Sequence, residues 1–126
     1  MIKENRKLVE EYLIRYNNMD IDAMLELFTE DAKFESVSNT SGVTKTENKK
    51  ELRQLASMSV EYFEERKQTA VTWVISDNHV ALEIDYWCRL AKDLPDGKKA
   101  GEEMNLKGAS FFTIQNGCIS KLVDYM

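Results

Sequence analysis

The chain holds one histidine, one proline and two cysteines in 126 residues, and each scarcity excludes something. His79, Cys88 and Cys118 are far apart in sequence and form no Cys/His cluster of ligand spacing, so no metal site is expected. Neither cysteine belongs to a CxxC pair, and each lies in an apolar, strand-like stretch. That points to two buried free thiols in a reducing compartment. No apolar run approaches the roughly 20 residues of a membrane span. The opening MIKENRKLVEE is charged where an export signal needs its apolar stretch, so a cytoplasmic location is expected. Basic residues are outnumbered, 17 Lys and Arg against 22 Asp and Glu for a net charge of −5, and they are scattered. There is no stripe to neutralise phosphates, which excludes a nucleic-acid partner from the expectation. A P-loop, a dinucleotide glycine fingerprint and a GxSxG elbow are all missing, so nucleotide and serine-hydrolase readings have nothing to stand on, and no cofactor is expected.

What is present is an ordinary globular balance, 43% apolar and 31% charged, in a length that suits one domain spanning 1–126. Val9, Tyr12, Leu13 and Tyr16 follow the spacing of one buried helix face. Asn17 to Met19 interrupt it, Asp20 can cap a second helix, and Ile21, Met24, Leu25 and Phe28 repeat the spacing. Ala32 to Val37 reads as a strand, and Ser38 to Thr46 as a loop or loose hairpin. Asn48 and Glu51 form a capping-box-like start to a third helix carrying Leu52, Leu55, Ala56, Ser59 and Phe63, which is expected to end near Glu65 to Lys67.

The period then changes. Gln68 to Ile75 is β-branched and aromatic, and Val80, Leu82, Ile84, Tyr86, Cys88 and Leu90 alternate with mostly polar residues as in a half-buried antiparallel strand. Leu94-Pro95-Asp96-Gly97 signals a turn, and Asn116-Gly117 the tight turn between strands Met104 to Gln115 and Cys118 to Met126. Helices set against a largely antiparallel sheet predict an α+β fold. The form expected is a cone-shaped, curved sheet, mixed or antiparallel, wrapped around a long helix with two shorter N-terminal helices. A cone can keep a hollow at its wide end.

The run YLIRYNNMDIDAMLELFTEDA, Tyr12 through Ala32, resembles the opening signature of nuclear transport factor 2-like and SnoaL-like proteins, and NGCISKLVDYM resembles their closing strand. The resemblance covers nearly the whole chain and implies the cystatin-like roll; it does not specify an activity. Against the ketosteroid isomerase relatives, Tyr12 falls where a helix-one tyrosine of the oxyanion hole lies. Ser36 falls at the position of the aspartate base and Ala109 at that of the second acid, so that activity itself is not expected. In SnoaL-like cyclases a pocket aspartate is the general acid/base, and here the resemblance puts Asp124 in that role.

The resemblance implies that Ala109 and Phe111 face the cavity, and then Leu122, Asp124 and Met126 face it too, with Asp124 among Phe34, Tyr86 and Phe111. Such apolar company raises a carboxyl pKa. The plainer alternative is a sheet-edge carboxylate paired with a cation, and Lys107 is the candidate partner. Tyr12 and Tyr16 lie on the helix stripe, where core packing explains their rings, with Tyr12 or Tyr86 as the hydrogen-bond donor in an enzyme. Ser36 is placed at the pocket mouth. His79 follows a turn and reads as an exposed hairpin residue. Trp73 or Trp87 on the outer sheet face suggests a homodimer interface. Three functions stay open: a cofactor-independent isomerase, cyclase or dehydratase; a binder of a small apolar or amphipathic molecule; and a protein-interaction module.

Overall fold

The stripe of Val9, Tyr12, Leu13 and Tyr16 lies on helix α1 (Ile2–Asn17) in the computed structural model, which describes residues 2–126. Met19 takes a left-handed φ of 55°, and the Asp20 carboxylate then accepts from the Ala23 amide to cap helix α2 (Ile21–Leu25). This second helix is shorter than its spacing predicts. The Ile119 amide donates to the Leu27 carbonyl at 2.8 Å, and Phe28 opens strand β1 (Phe28–Ser38) instead of continuing the helix.

The polar stretch after β1 returns as β2 (Gly42–Thr46). Helix α3 (Lys49–Ser59) starts as expected: the Glu51 amide donates to Asn48 Oδ1 at 2.9 Å, while the Glu51 carboxylate turns back to accept from the Glu47 amide. It ends earlier than expected, in a 3₁₀ turn at Val60–Tyr62, because Phe63 to Lys67 pair with the end of the next strand. Strand β3 therefore runs Phe63–Ser76, and ladder pairing overrides the helical reading of those residues. With 16 residues against 11, α1 and not α3 is the long helix. It packs on β3, while α3 packs on β1.

Strands β4 (His79–Leu90), β5 (Glu103–Gln115) and β6 (Cys118–Tyr125) complete the sheet. Asn116 and Gly117 both have positive φ, 52° and 78°, as a two-residue turn between twisted strands demands. The strand order is β2-β1-β6-β5-β4-β3, antiparallel except for the parallel pair β1–β6. The α+β class and the mixed, curled sheet are as the sequence predicts. Asn5 ties α1 to the β3–β4 turn, its amide donating to the Asp77 carbonyl at 2.9 Å. Val9, Leu25, Ile84, Phe112, Ile119 and Leu122 fill the core. Cys88 is buried and Cys118 half-buried, both as free thiols.

The inward face of β4 carries Val80, Leu82, Ile84, Tyr86, Cys88 and Leu90, the set given by alternation. For β5 the expected phase is inverted. Counting back from the Asn116-Gly117 turn pairs Phe111 with Leu122, but the register slips by one between Thr113 and Ile114, so that Phe112 pairs with Leu122 and Ser110 with Asp124. Ser110 and Phe112 face inward, whereas Phe111 is 50% exposed and meets the Tyr125 ring edge-on at 5.7 Å on the outer face. Phe112→Ala is expected to lower stability by about 3–5 kcal/mol, and Phe111→Ala by less than about 1 kcal/mol. Urea denaturation of the two variants measures the difference, and equal losses would contradict this register.

Candidate functional site

Between the concave sheet face and the helices the fold leaves a cavity of about 520 Å³. Two ladders place one row of side chains across its wall. Ser36 of β1 lies beside Asp124 of β6, which lies beside Ser110 of β5. The Ser110 hydroxyl donates to Asp124 Oδ1 at 2.7 Å, holding one carboxyl oxygen in place. Asp124 is half-buried, and its remaining exposure is to the cavity. Burial lifts its pKa from 3.8 to about 6, against the opposing pull of the Ser110 hydrogen bond. No Lys or Arg among the described residues forms an ion pair with it.

Tyr12 reaches the same cavity from α1. Its ring is fixed edge-on between Phe28 and Phe112, at 5.8 and 5.4 Å, and its hydroxyl has no hydrogen-bond partner among the described residues. Burial and then the nearby Asp124 charge push its pKa well above the ordinary phenol value, so it keeps its proton and can donate a hydrogen bond. The Tyr16 hydroxyl donates to that of Tyr86 at 3.2 Å, and burial likewise raises Tyr86.

Phe34, Ser36 and Met126 also line the cavity. Met126 packs where Gly108 has no side chain: a Cβ there would stand 2.7 Å from Met126 Cγ and from the Tyr125 carbonyl oxygen. Leu122, 1% exposed, lies in the core and not on the wall. Other residues expected on this wall are elsewhere too. Phe111 is outside because of the slipped register, and so is Lys107, whose ammonium pairs with Asp85 across the outer face. Ala109 is directed outward by the same phase, and Ser110 takes the inward position, so neither it nor Ser36 supplies a carboxyl group. Trp73 does not sit on the outer face either. It packs against the core under the Arg6 guanidinium, 4.5 Å from the ring centroid. Trp87 is on the outer face, donating to Glu103 at 2.8 Å.

Sequence reasoning missed Arg66 and Gln68, which line the cavity at 4% and 3% exposure. Glu64 to Lys67 looks like the charged end of a helix; only the alternation Arg66, Gln68, Ala70 signals an inward face.

A family model of the SnoaL-like domain matches residues 9–122. The chain belongs to the SnoaL-like domain family. No curated protein matches its sequence. Among solved structures, this SnoaL-like domain is similar to a candidate polyketide cyclase from Xanthomonas campestris pv. campestris, with TM-score 0.82 and 19% identity over 99% of this chain and 91% of that one. It is also similar to an LEH-like epoxide hydrolase from M. tuberculosis, with TM-score 0.77 and 14% identity over 98% and 83%. A third is a protein of ketosteroid isomerase-like fold from Catenulispora acidiphila, solved with trimethylamine (TM-score 0.77, 16% identity, 94% and 84% covered). At such identities the likeness is one of fold.

The raised pKa of Asp124 makes a signed prediction. Its ionised form is disfavoured in the folded state, so stability falls as pH rises from the ordinary value of 3.8 through about 6. Asp124→Asn removes that penalty. Relative to the parent, the variant is expected to gain roughly 2–3 kcal/mol between about pH 4 and about pH 7 in denaturation experiments. A pH-independent difference would rule out the shift.

Proposed function

We propose that this SnoaL-like domain binds a small apolar or amphipathic molecule and moves a proton on it without a cofactor, as an isomerase, cyclase or dehydratase. The reading is carried by one observation: an unpaired carboxyl group and an unpartnered phenol hydroxyl share one largely apolar cavity. The volume suits a small-molecule site. Structural neighbours named as a candidate polyketide cyclase and an epoxide hydrolase are compatible with such chemistry.

The proposed step uses these two groups. With a pKa of about 6, Asp124 is ionised in about nine molecules of ten at pH 7, yet basic enough to accept a proton. Ser110 occupies Oδ1 and leaves Oδ2 for the substrate. Asp124 takes a proton from the carbon next to a carbonyl, and the C–H electron pair moves into an enolate. Tyr12 donates a hydrogen bond to the enolate oxygen, and Asp124 returns the proton to a second carbon of the same molecule. In a dehydratase, the protonated Asp124 instead gives its proton to a leaving hydroxyl group, which departs as water.

Asp124→Asn is expected to lower turnover at least about a hundredfold while leaving ligand affinity nearly unchanged, and Tyr12→Phe to lower it about tenfold or more. In the parent, kcat/KM for an enolisable substrate should rise with pH through about 6 as the carboxylate forms. A fully active Asp124→Asn enzyme would overturn the reading. An inactive protein that binds its ligand equally well as parent and variant would mark a carrier.

The proposal extends to a homodimer through the outer sheet face, where Phe111 and Tyr125 are 50% and 44% exposed beside the Lys107–Asp85 pair. Phe111→Asp should convert a dimer to a monomer in analytical ultracentrifugation; a parent that stays monomeric at every concentration refutes it.

A further inference from the structure

Of the two charged side chains that line the cavity among the described residues, Arg66 is the one the chemistry above does not use. The chain has five arginines. Arg6 pairs with Glu10, Arg15 with Glu11, Arg53 with Asp22, and Arg89 with Glu64, Glu65 and Glu103. Arg66, the most buried of them at 4% exposure, has no carboxylate partner among the described residues. Its sequence neighbours Glu64 and Glu65 point to the other face and hold Arg89.

The guanidinium is nevertheless rigidly held. Its carbon lies 3.6 Å from the centroid of the Tyr16 ring and 5.7 Å from that of Phe63, and Nε donates to the Tyr16 carbonyl at 3.2 Å. The terminal nitrogens donate to no protein acceptor among the described residues, and the side chain lines the cavity. Two residues along the same face, Gln68 keeps a buried amide oxygen without a partner. A buried cation without an anion is strongly disfavoured, and a fixed planar fork of donors is matched by a carboxylate.

Arg66 lies on β3 and Asp124 on β6, with β4 and β5 between them in the sheet. The cation and the acid therefore stand at separate parts of the cavity. Among the described residues no lysine or histidine lines the wall, so Arg66 is the one positive charge there. That balance suits a monoanion and not a phosphate dianion.

We infer that Arg66 anchors the carboxylate of a small amphipathic monocarboxylic acid, whose apolar body lies along Tyr16 and Tyr86 toward Asp124. The inference rests on the cavity reading above and names its substrate class. The experiment is calorimetric titration of the purified protein with phenyl-substituted and straight-chain alkanoates of increasing length, each beside its carboxamide.

At least one carboxylate should bind about tenfold or more tightly than its amide. Arg66→Met should abolish that preference without weakening the amide, Arg66→Lys should restore part of it, and Asp124→Asn should leave it intact. Equal affinity for acid and amide in the parent overturns the inference, as does failure of every carboxylate to bind in the millimolar range. The parent comparison decides the matter even where Arg66→Met fails to fold. A carboxylate preference without Asp124-dependent turnover would remove the proton-transfer reading and keep the anchor; turnover without the preference would do the reverse.

Discussion

The register of β6, held between β1 and β5, governs what the interior of this molecule contains. A strand turns every side chain over when it slides by one residue. The irregularity between Thr113 and Ile114 makes that slide, and it sets Ser110 and not Ala109 or Phe111 beside Asp124. The parallel pairing with β1 fixes the other side, where Ser36 meets the same carboxyl group. One ladder defect thus gives the acid its hydrogen-bond donor, and it puts an aromatic pair, Phe111 and Tyr125, on the outside.

Burial and hydrogen bonding then act against one another at Asp124. Removal from water favours the neutral acid, while the Ser110 hydroxyl favours the anion, and burial is the larger effect. Tyr12 responds to the same surroundings in the same sense, since a phenolate beside Asp124 would add a second negative charge in a poorly solvated space. Two groups that would be an ordinary acid and an ordinary phenol on a surface become a weak acid and a firm hydrogen-bond donor.

The rest of the wall is mostly packing. Edge-on contacts hold Tyr12 against Phe28 and Phe112, and Gly108 leaves room for Met126. The unpaired guanidinium of Arg66 departs from this pattern, and its stack on Tyr16 makes it a rigid feature of the cavity. Ion pairing elsewhere lies on exposed surfaces, as with Lys107 and Asp85, where it contributes little to stability.

The sequence alone determined the α+β class, the caps at Asp20 and Asn48, the tight Asn116-Gly117 turn and the buried face of β4, because each depends on neighbours within a few residues. The stripe that holds Tyr12 and the inward phase of Tyr86 follow from helix spacing and alternation, which are local, whereas the facing of Asp124 was implied only by the family resemblance. Tertiary structure decided where α3 stops, because Phe63 to Lys67 find partners on β4 that no local signal announces. It decided the phase of β5, because a bulge is a property of two strands together. It also decided the burial of Arg66, whose charged surroundings in sequence give way to tyrosine and phenylalanine rings only once β3 joins the sheet beneath α1.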